Sequence, residues 1–464
     1  MRPSSSRSEP PASSTPYGGL LGALPGDPPV DAVVGDRSLV TAMLRAEAAL
    51  AMAQAAVGLA PGAAAEVIGR VADSRDYDPG DLGSAAAASG NPVVPLATWL
   101  TRDVAAQDED AARWVHRGTT SQDILDTALM LVADEAAARI LHLLDRCAST
   151  LARLATEHAS TLMAGRTLGQ LAAPTTFGLT VTGWLTGIDA AAVQLRASRS
   201  RLAVQLGGPV GTGVAWSPQL PELLEAFAAV TGLRAATPWH TERSRVVELA
   251  ASLGQAVSAC AKIATDVVTL SQNEIGEVRE GAAPGRGGSS AMPHKHNPVG
   301  SVLIRSAAMR APGLVATVLS AAVHDGQRAT GAWHAEWSPL RELLHLAGGV
   351  AALTADVVQG LDVREQAMAD RVTGDGAVMF AESVSRALSG ALGRAGAQDV
   401  VAAAARTAEQ TGTPFRELLR SDDRVTAHLG SSELDACFDP GPHIRAAAGL
   451  VALTLSRRNP PEAP

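Results

Sequence analysis

TERSRVVELAASLGQAVSACAKIATDVVTLSQNEI, residues 241–275, decides the fold. Val246, Leu249, Leu253, Ala256, Cys260, Ile263, Val267 and Leu270 recur at alternating steps of three and four. That spacing lays one apolar stripe along an α-helix, the seam of a bundle or coiled coil. At about 1.5 Å per residue the helix would run roughly 50 Å. A stripe so long exceeds what a compact monomeric core needs, and it predicts contact with other subunits.

The rest of the chain repeats the pattern. No proline occurs at 96–173, 175–208, 239–283 or 340–413, and these gaps in an Ala- and Leu-rich sequence predict further long helices. Aromatic residues are only 3%, which disfavours sandwiches, barrels and base-stacking platforms. Strand signals are weak throughout. The fold class expected is therefore all-α. At 464 residues the chain suits two or three domains, and 46% hydrophobic residues supply a sizeable core. The division expected is a Ser/Pro-rich tail at 1–20, a helical domain at 21–117, a long-helix bundle at 118–361 and a smaller helical domain at 362–464.

A net charge of −9 without a long basic run argues against nucleic acid, while a few local arginines can still attract a small anion. Cys147, Cys260 and Cys437 form no CxxC pair, which fits a reducing, cytoplasmic setting. The tail lacks the apolar core of a signal peptide. No run of about 18 uninterrupted apolar residues suggests a membrane span.

Four segments are too polar for a helical setting. In HRGTTSQDILDT, 116–127, Thr120 and Asp123 have capping-box spacing at a helix start, whose free N–H groups can hold a carboxylate. A plain N-cap explains the same residues. In AGRTLGQLAAPTTFG, 164–178, Arg166, Thr167 and Gln170 crowd a bend before Pro174, as a polar helix end also would. Residues 280–300 carry no apolar periodicity, and an insertion that long inside a helical domain is functional or a linker. There Ser289 and Ser290 offer hydroxyls, Lys295 a cation, and Asn297-Pro298 reads as the cap of the next helix. In HDGQRATGAWHAEW, 324–337, Arg328, Trp333, His334 and Glu336 lie close together, as they would at a wet helix end.

Other chemistries lack their motifs. There is no GxxxxGK[ST], HExxH or GxSxG, and GGPVGTG at 207–213 has the wrong spacing for dinucleotides. His294 and His296 have no third ligand clustered with them, so no metal is expected. His142, His158 and His345 sit in helical runs and read as structural.

SSAMPHKHNP, 289–298, resembles the signature loop GSSxMPxKxN of the fumarase/aspartase superfamily. HRGTTSQD resembles that family's first characteristic region and AGRTLGQ its second, and GNPVVPL at 90–96 also fits. PWHTERSR (238–245), KIATDVVTLSQNEIGEV (262–278) and ATGAWHAEW (329–337) are most similar to the bacterial 3-carboxy-cis,cis-muconate cycloisomerases. The resemblance implies three helical domains and a homotetramer around a central bundle. It implies active sites shared between three chains, a small polycarboxylate substrate and no cofactor. It makes the 280–300 loop a catalytic lid. Ser289 becomes the residue that moves the carbon proton, with Lys295 and Asn297 holding the developing charge. Thr120, Ser121, Arg166, Thr167, Gln170, Ser290, Met292 and Arg328 become substrate-binding residues.

Two departures bear on the acid. Adenylosuccinate lyases of the superfamily carry histidine after the RT of the second region, where this chain has Leu168. Some cycloisomerases place it after the glutamine, where this chain has Leu171. His116 and His334 remain as candidate acids. The alternative activity is a C–N or C–O lyase that releases fumarate or a related acid with a good leaving group.

Overall fold

The computed structural model describes residues 25–281, 292 and 295–458. They are predominantly helical, as expected. The long helices are Ser121–Glu157, Phe177–Arg199, Ser244–Leu270, Val299–Ala321, Ala332–Gln359 and Ala381–Thr411. The stripe helix is shorter at both ends than its sequence suggests. Glu242 accepts a hydrogen bond from the Ser244 amide and fixes the start there, and Leu270 is the last helical residue. Its 27 residues span about 40 Å.

Every stripe residue from Val246 to Leu270 is buried, none above 4% exposed, in a single copy of the chain. This removes the stripe as a reason for subunit contacts. The exposed apolar face lies elsewhere, on Val299–Ala321. There Ile304, Ala307, Ala311 and Val318 face inward, while Val302, Met309 and Leu319 are 51%, 76% and 58% exposed. By length and composition alone, Asp36–Ala56, Ser244–Leu270 and Val299–Ala321 could each cross a membrane, and the first two bury half or more of their apolar window.

The described chain forms two compact units. One holds the residues up to Asp145, Asp189–Ala261 and Val302–Ala355; the other holds Arg146–Ile188, the described part of Lys262–Ser301, and the residues from Asp356 onward. In the first unit, Asp36–Ala56 packs on Gly62–Ser74 and Leu220–Thr231. In the second, Val384, Leu388, Val400, Phe415, Leu419 and Leu434 centre a separate core.

The second unit also contains what periodicity did not reveal. The segment read as a bend is an antiparallel hairpin, β1 (Leu162–Thr167) and β2 (Gln170–Thr176). Leu168 and Gly169 form its two-residue turn, both with positive φ (52° and 80°), the pattern of a type I′ turn.

Candidate active site

The site in the first unit is built on Asp123. Thr120 precedes the Ser121–Glu157 helix, and Asp123 reaches back to accept the Thr120 amide at 3.0 Å. This is one half of the capping box that the spacing suggested. The same buried carboxylate accepts the Thr119 hydroxyl and the amides of Gly207 and Gly208, each at 3.0 Å, and lies 2.6 Å from His240 Nε2. It therefore ties the helix start to the GGPVGTG turn. Arg328 donates to the Gly208 carbonyl at 2.5 Å, which brings the fourth polar segment to the first. Burial lowers the Arg328 pKa, against the pull of Asp123 and Asp126.

His116 stands at the other edge of this turn. It adopts φ 56°, and Gly118 beside it φ 82°. A Cβ on Gly118 would meet Ala215 at 2.9 Å, so glycine is required by both the dihedral and the space. His116 and Leu168 are the only non-glycine residues with positive φ among the described residues. Both fall in segments singled out for chemistry, where backbone strain concentrates. His116 Nδ1 lies 2.5 Å from Glu47 Oε1. Burial works against the charge on the imidazole, but the Glu47 carboxylate, its hydrogen bond, and then Asp123 outweigh it and raise the pKa.

Behind the site runs a buried ionic row whose pairings the sequence does not show. Arg243 donates to Asp126 at 2.7 and 3.1 Å and to Glu336, while Trp333 Nε1 donates to Asp126 at 2.9 Å. Burial keeps the Glu336 pKa raised to about 7, because the single guanidinium is already shared with Asp126. Asp126 is held below its ordinary value despite burial, by Arg243 first. His334 is exposed and packs on Trp333 and Trp337, with ring centroids 5.3 and 4.6 Å away.

The remaining described candidates lie in the second unit. Arg166 is engaged bidentately by buried Glu277, at 2.7 and 2.9 Å, which anchors the hairpin. Thr167, Leu168 and Gln170 are exposed at its tip, Leu168 fully so, and Leu171 is 45% exposed. Lys295 and Met292 are exposed and Asn297 is half-buried. Asn297-Pro298 does not cap the next helix, which starts at Val299. Glu280 takes that role, accepting Gly300 N at 2.8 Å and Ser301 N and Oγ at 3.1 and 3.0 Å. A carboxylate there also suits the helix dipole. Ser289 and Ser290 lie outside the described residues.

The chain matches the lyase family over residues 28–313 and the adenylosuccinate lyase C-terminus over 377–453. It is 43% identical to the nitrosuccinate lyase of Streptomyces davaonensis, over 93% of each chain. It is 40% identical to the 3-carboxy-cis,cis-muconate cycloisomerase of Pseudomonas aeruginosa, over 93% of this chain and 94% of that one. The crystal structure of the 3-carboxy-cis,cis-muconate lactonizing enzyme from Pseudomonas putida superposes with a TM-score of 0.87 at 34% identity, covering 94% of this chain and 98% of that one. A capped helix start carrying Thr120 and Ser121 beside Arg328, with a lysine-bearing segment before Val299, thus comes with kinship along nearly the whole chain, and the protein belongs to the fumarase/aspartase superfamily of lyases and cycloisomerases.

Proposed function

We propose that the chain is a cycloisomerase that interconverts 3-carboxy-cis,cis-muconate and its carboxymuconolactone. The observation that carries the reading is the helix start at Thr120 and Ser121. Its own carboxylate, Asp123, is saturated by five donors, and Arg328 stands beside it. Such a place holds an incoming carboxylate without competition from within. In lactonisation one substrate carboxylate adds across the double bond, and electrons pass to the neighbouring carboxylate as an aci-carboxylate. The carbon then takes a proton from the neutral Ser289 hydroxyl. Lys295 and Asn297 stabilise the dianion, and Thr120, Ser121, Thr167, Gln170 and Arg328 hold the other carboxylates.

A second reading is favoured by Leu168 and Leu171, which place no acid at the hairpin, and by the 43% identity to a nitrosuccinate lyase. Elimination from nitrosuccinate needs a base for one carbon proton and no acid for the departing nitrite. Ser289 as alkoxide would take the proton, leaving fumarate and nitrite.

The assay uses both substrates with the purified chain. Loss of muconate ultraviolet absorbance, with no fumarate or nitrite from nitrosuccinate, supports the cycloisomerase. Fumarate and nitrite in equal amounts, with the muconate untouched, selects the lyase. Turnover of neither overturns both.

The same proposal includes a homotetramer with active sites shared between three chains, supported by the exposed apolar face of Val299–Ala321. It also includes a cytoplasmic setting, supported by three cysteines outside any disulfide.

A further inference from the structure

We propose that Glu47 is a positioning residue that keeps His116 an imidazolium, and that this cation binds a carboxylate of the substrate beside the Ser121 helix start. The inference rests on the reading of the substrate as a carboxylate, and on nothing finer.

Glu47 lies on Asp36–Ala56 with its side chain 1% exposed. Its Oε1 faces His116 Nδ1 at 2.5 Å, and its Oε2 has no hydrogen-bond partner among the described residues. A carboxylate so deeply buried is costly unless a positive charge answers it. The charged groups facing the imidazole are Glu47, and Asp123 from the Ser121–Glu157 helix, both negative. The neighbouring Arg117 does not compensate Glu47, because its guanidinium stacks on Trp114 at 4.1 Å. The proton on His116 is therefore the charge that balances Glu47.

The ring has one nitrogen left. Asp123 cannot accept Nε2–H, since its two oxygens already take the Thr119 hydroxyl, three amides and His240. Nε2 makes no hydrogen bond to any described residue, and the side chain is 24% exposed. A buried brace would bond through both nitrogens or be sealed. His116 is held at one nitrogen, in a left-handed backbone conformation that tertiary structure must enforce, with the other nitrogen open.

The pH dependence follows. Glu47 raises the His116 pKa, so the cation persists to higher pH than an ordinary histidine would allow. Replacing Glu47 with glutamine keeps an acceptor for Nδ1–H but removes the charge, and moves the loss of the cation to lower pH.

The test is an NMR titration of the full-length protein carrying histidine labelled with carbon-13 at Cε1, with the His116 resonance assigned by H116Q. Fumarate is the probe anion. Wild type should titrate at least about one pH unit above E47Q, with E47D between them. Fumarate should shift the His116 resonance, and at pH 8 should bind E47Q at least about tenfold more weakly than wild type, with the difference vanishing near pH 5.5. Equal titration midpoints in wild type, E47D and E47Q would overturn the role of Glu47. A His116 resonance indifferent to fumarate would overturn the role of the cation. Neither measurement involves turnover, so a failure of both substrate assays would leave this result standing on its own.

Discussion

Asp123 and His240 meet at 2.6 Å with side chains 0% and 4% exposed. The pair joins the start of one long helix to the segment before another, and four further donors converge on the same carboxylate. Asp123 is thus the joint of the site and its role is architectural. In the proposed reading, substrate carboxylates meet the helix start that it braces.

Asp123→Ala should remove that joint and strand five donors. Breaking a buried, hydrogen-bonded charge costs about 3–5 kcal/mol. Urea unfolding at one fixed protein concentration should show a loss of that order, with Asp123→Asn losing less because an acceptor remains. A loss under about 1 kcal/mol for the alanine variant would mean that the joint is redundant.

Glu336 predicts a pH dependence of stability. Burial raises its pKa from 4.5 to about 7, while Arg243 opposes the shift. The folded state then binds a proton that the unfolded chain has released across this interval. The stabilisation from Glu336 is full below pH 4.5 and is lost as pH rises through about 7. Asp126 has the opposite sign: its depressed pKa stabilises the fold above the ordinary carboxylate value and fails on acidification. Glu336→Gln keeps an oxygen for Arg243 and removes the titration. Wild type should lose stability relative to this variant between pH 5 and 8, measured by chemical unfolding at each pH, and parallel curves would refute the assignment.

Leu168 offers a local test. It occupies the first turn position of the hairpin at φ 52° and is fully exposed. A left-handed conformation costs an ordinary L-residue about 1–2 kcal/mol, and asparagine tolerates it better. Leu168→Asn should stabilise the chain by about 0.5–1 kcal/mol in a thermal or urea melt. A destabilised variant would show that Leu168 is covered by something a single chain lacks.

The hairpin also marks where the sequence stops being legible. The stripe residues could be read because helical periodicity repeats over 27 positions, and all of them are buried. The strands β1 and β2 offer six and seven residues, with a register shift between Ala164 and Arg166, too short and irregular for alternation to emerge. Charged candidates were legible as residues but not as pairs. Arg166 meets Glu277 111 positions away, and Arg243 meets Asp126 and Glu336 at 117 and 93. Nothing local encodes such partners. Glu47 gave no signal either, since it lies in an apolar helix far from any polar segment.

Subunit contact is testable on Val299–Ala321. Met309 and Leu319 are 76% and 58% exposed on this helix. Met309→Glu combined with Leu319→Glu puts charge on the proposed interface and touches no buried residue. Light scattering should return a tetramer for wild type and smaller species for the double variant. A wild-type monomer would remove the shared-site proposal, and an intact tetramer in the variant would move the interface to another face.

The 280–300 segment, proposed as the catalytic loop, carries the sharpest prediction. Ser289 is proposed to transfer the proton, Ser290 to shape the loop, and Lys295 to stabilise the dianion. Lys295 is exposed, where an ammonium can meet an incoming anion. Ser289→Ala should lower kcat at least about 10²-fold, the usual scale for a positioned acid or base. It should change folding stability by less than about 0.5 kcal/mol, as one hydroxyl rarely does more outside a core. Ser290→Ala should cost much less. Lys295→Met keeps the aliphatic stem and deletes the charge, and should lose a factor similar to Ser289→Ala. The variants must be compared at equal tetramer content, because dissociation would imitate a catalytic defect. Wild-type turnover by Ser289→Ala would place the proton-transferring group elsewhere. His334, packed on its two tryptophans, and His116, open at Nε2, would then be the next residues to replace.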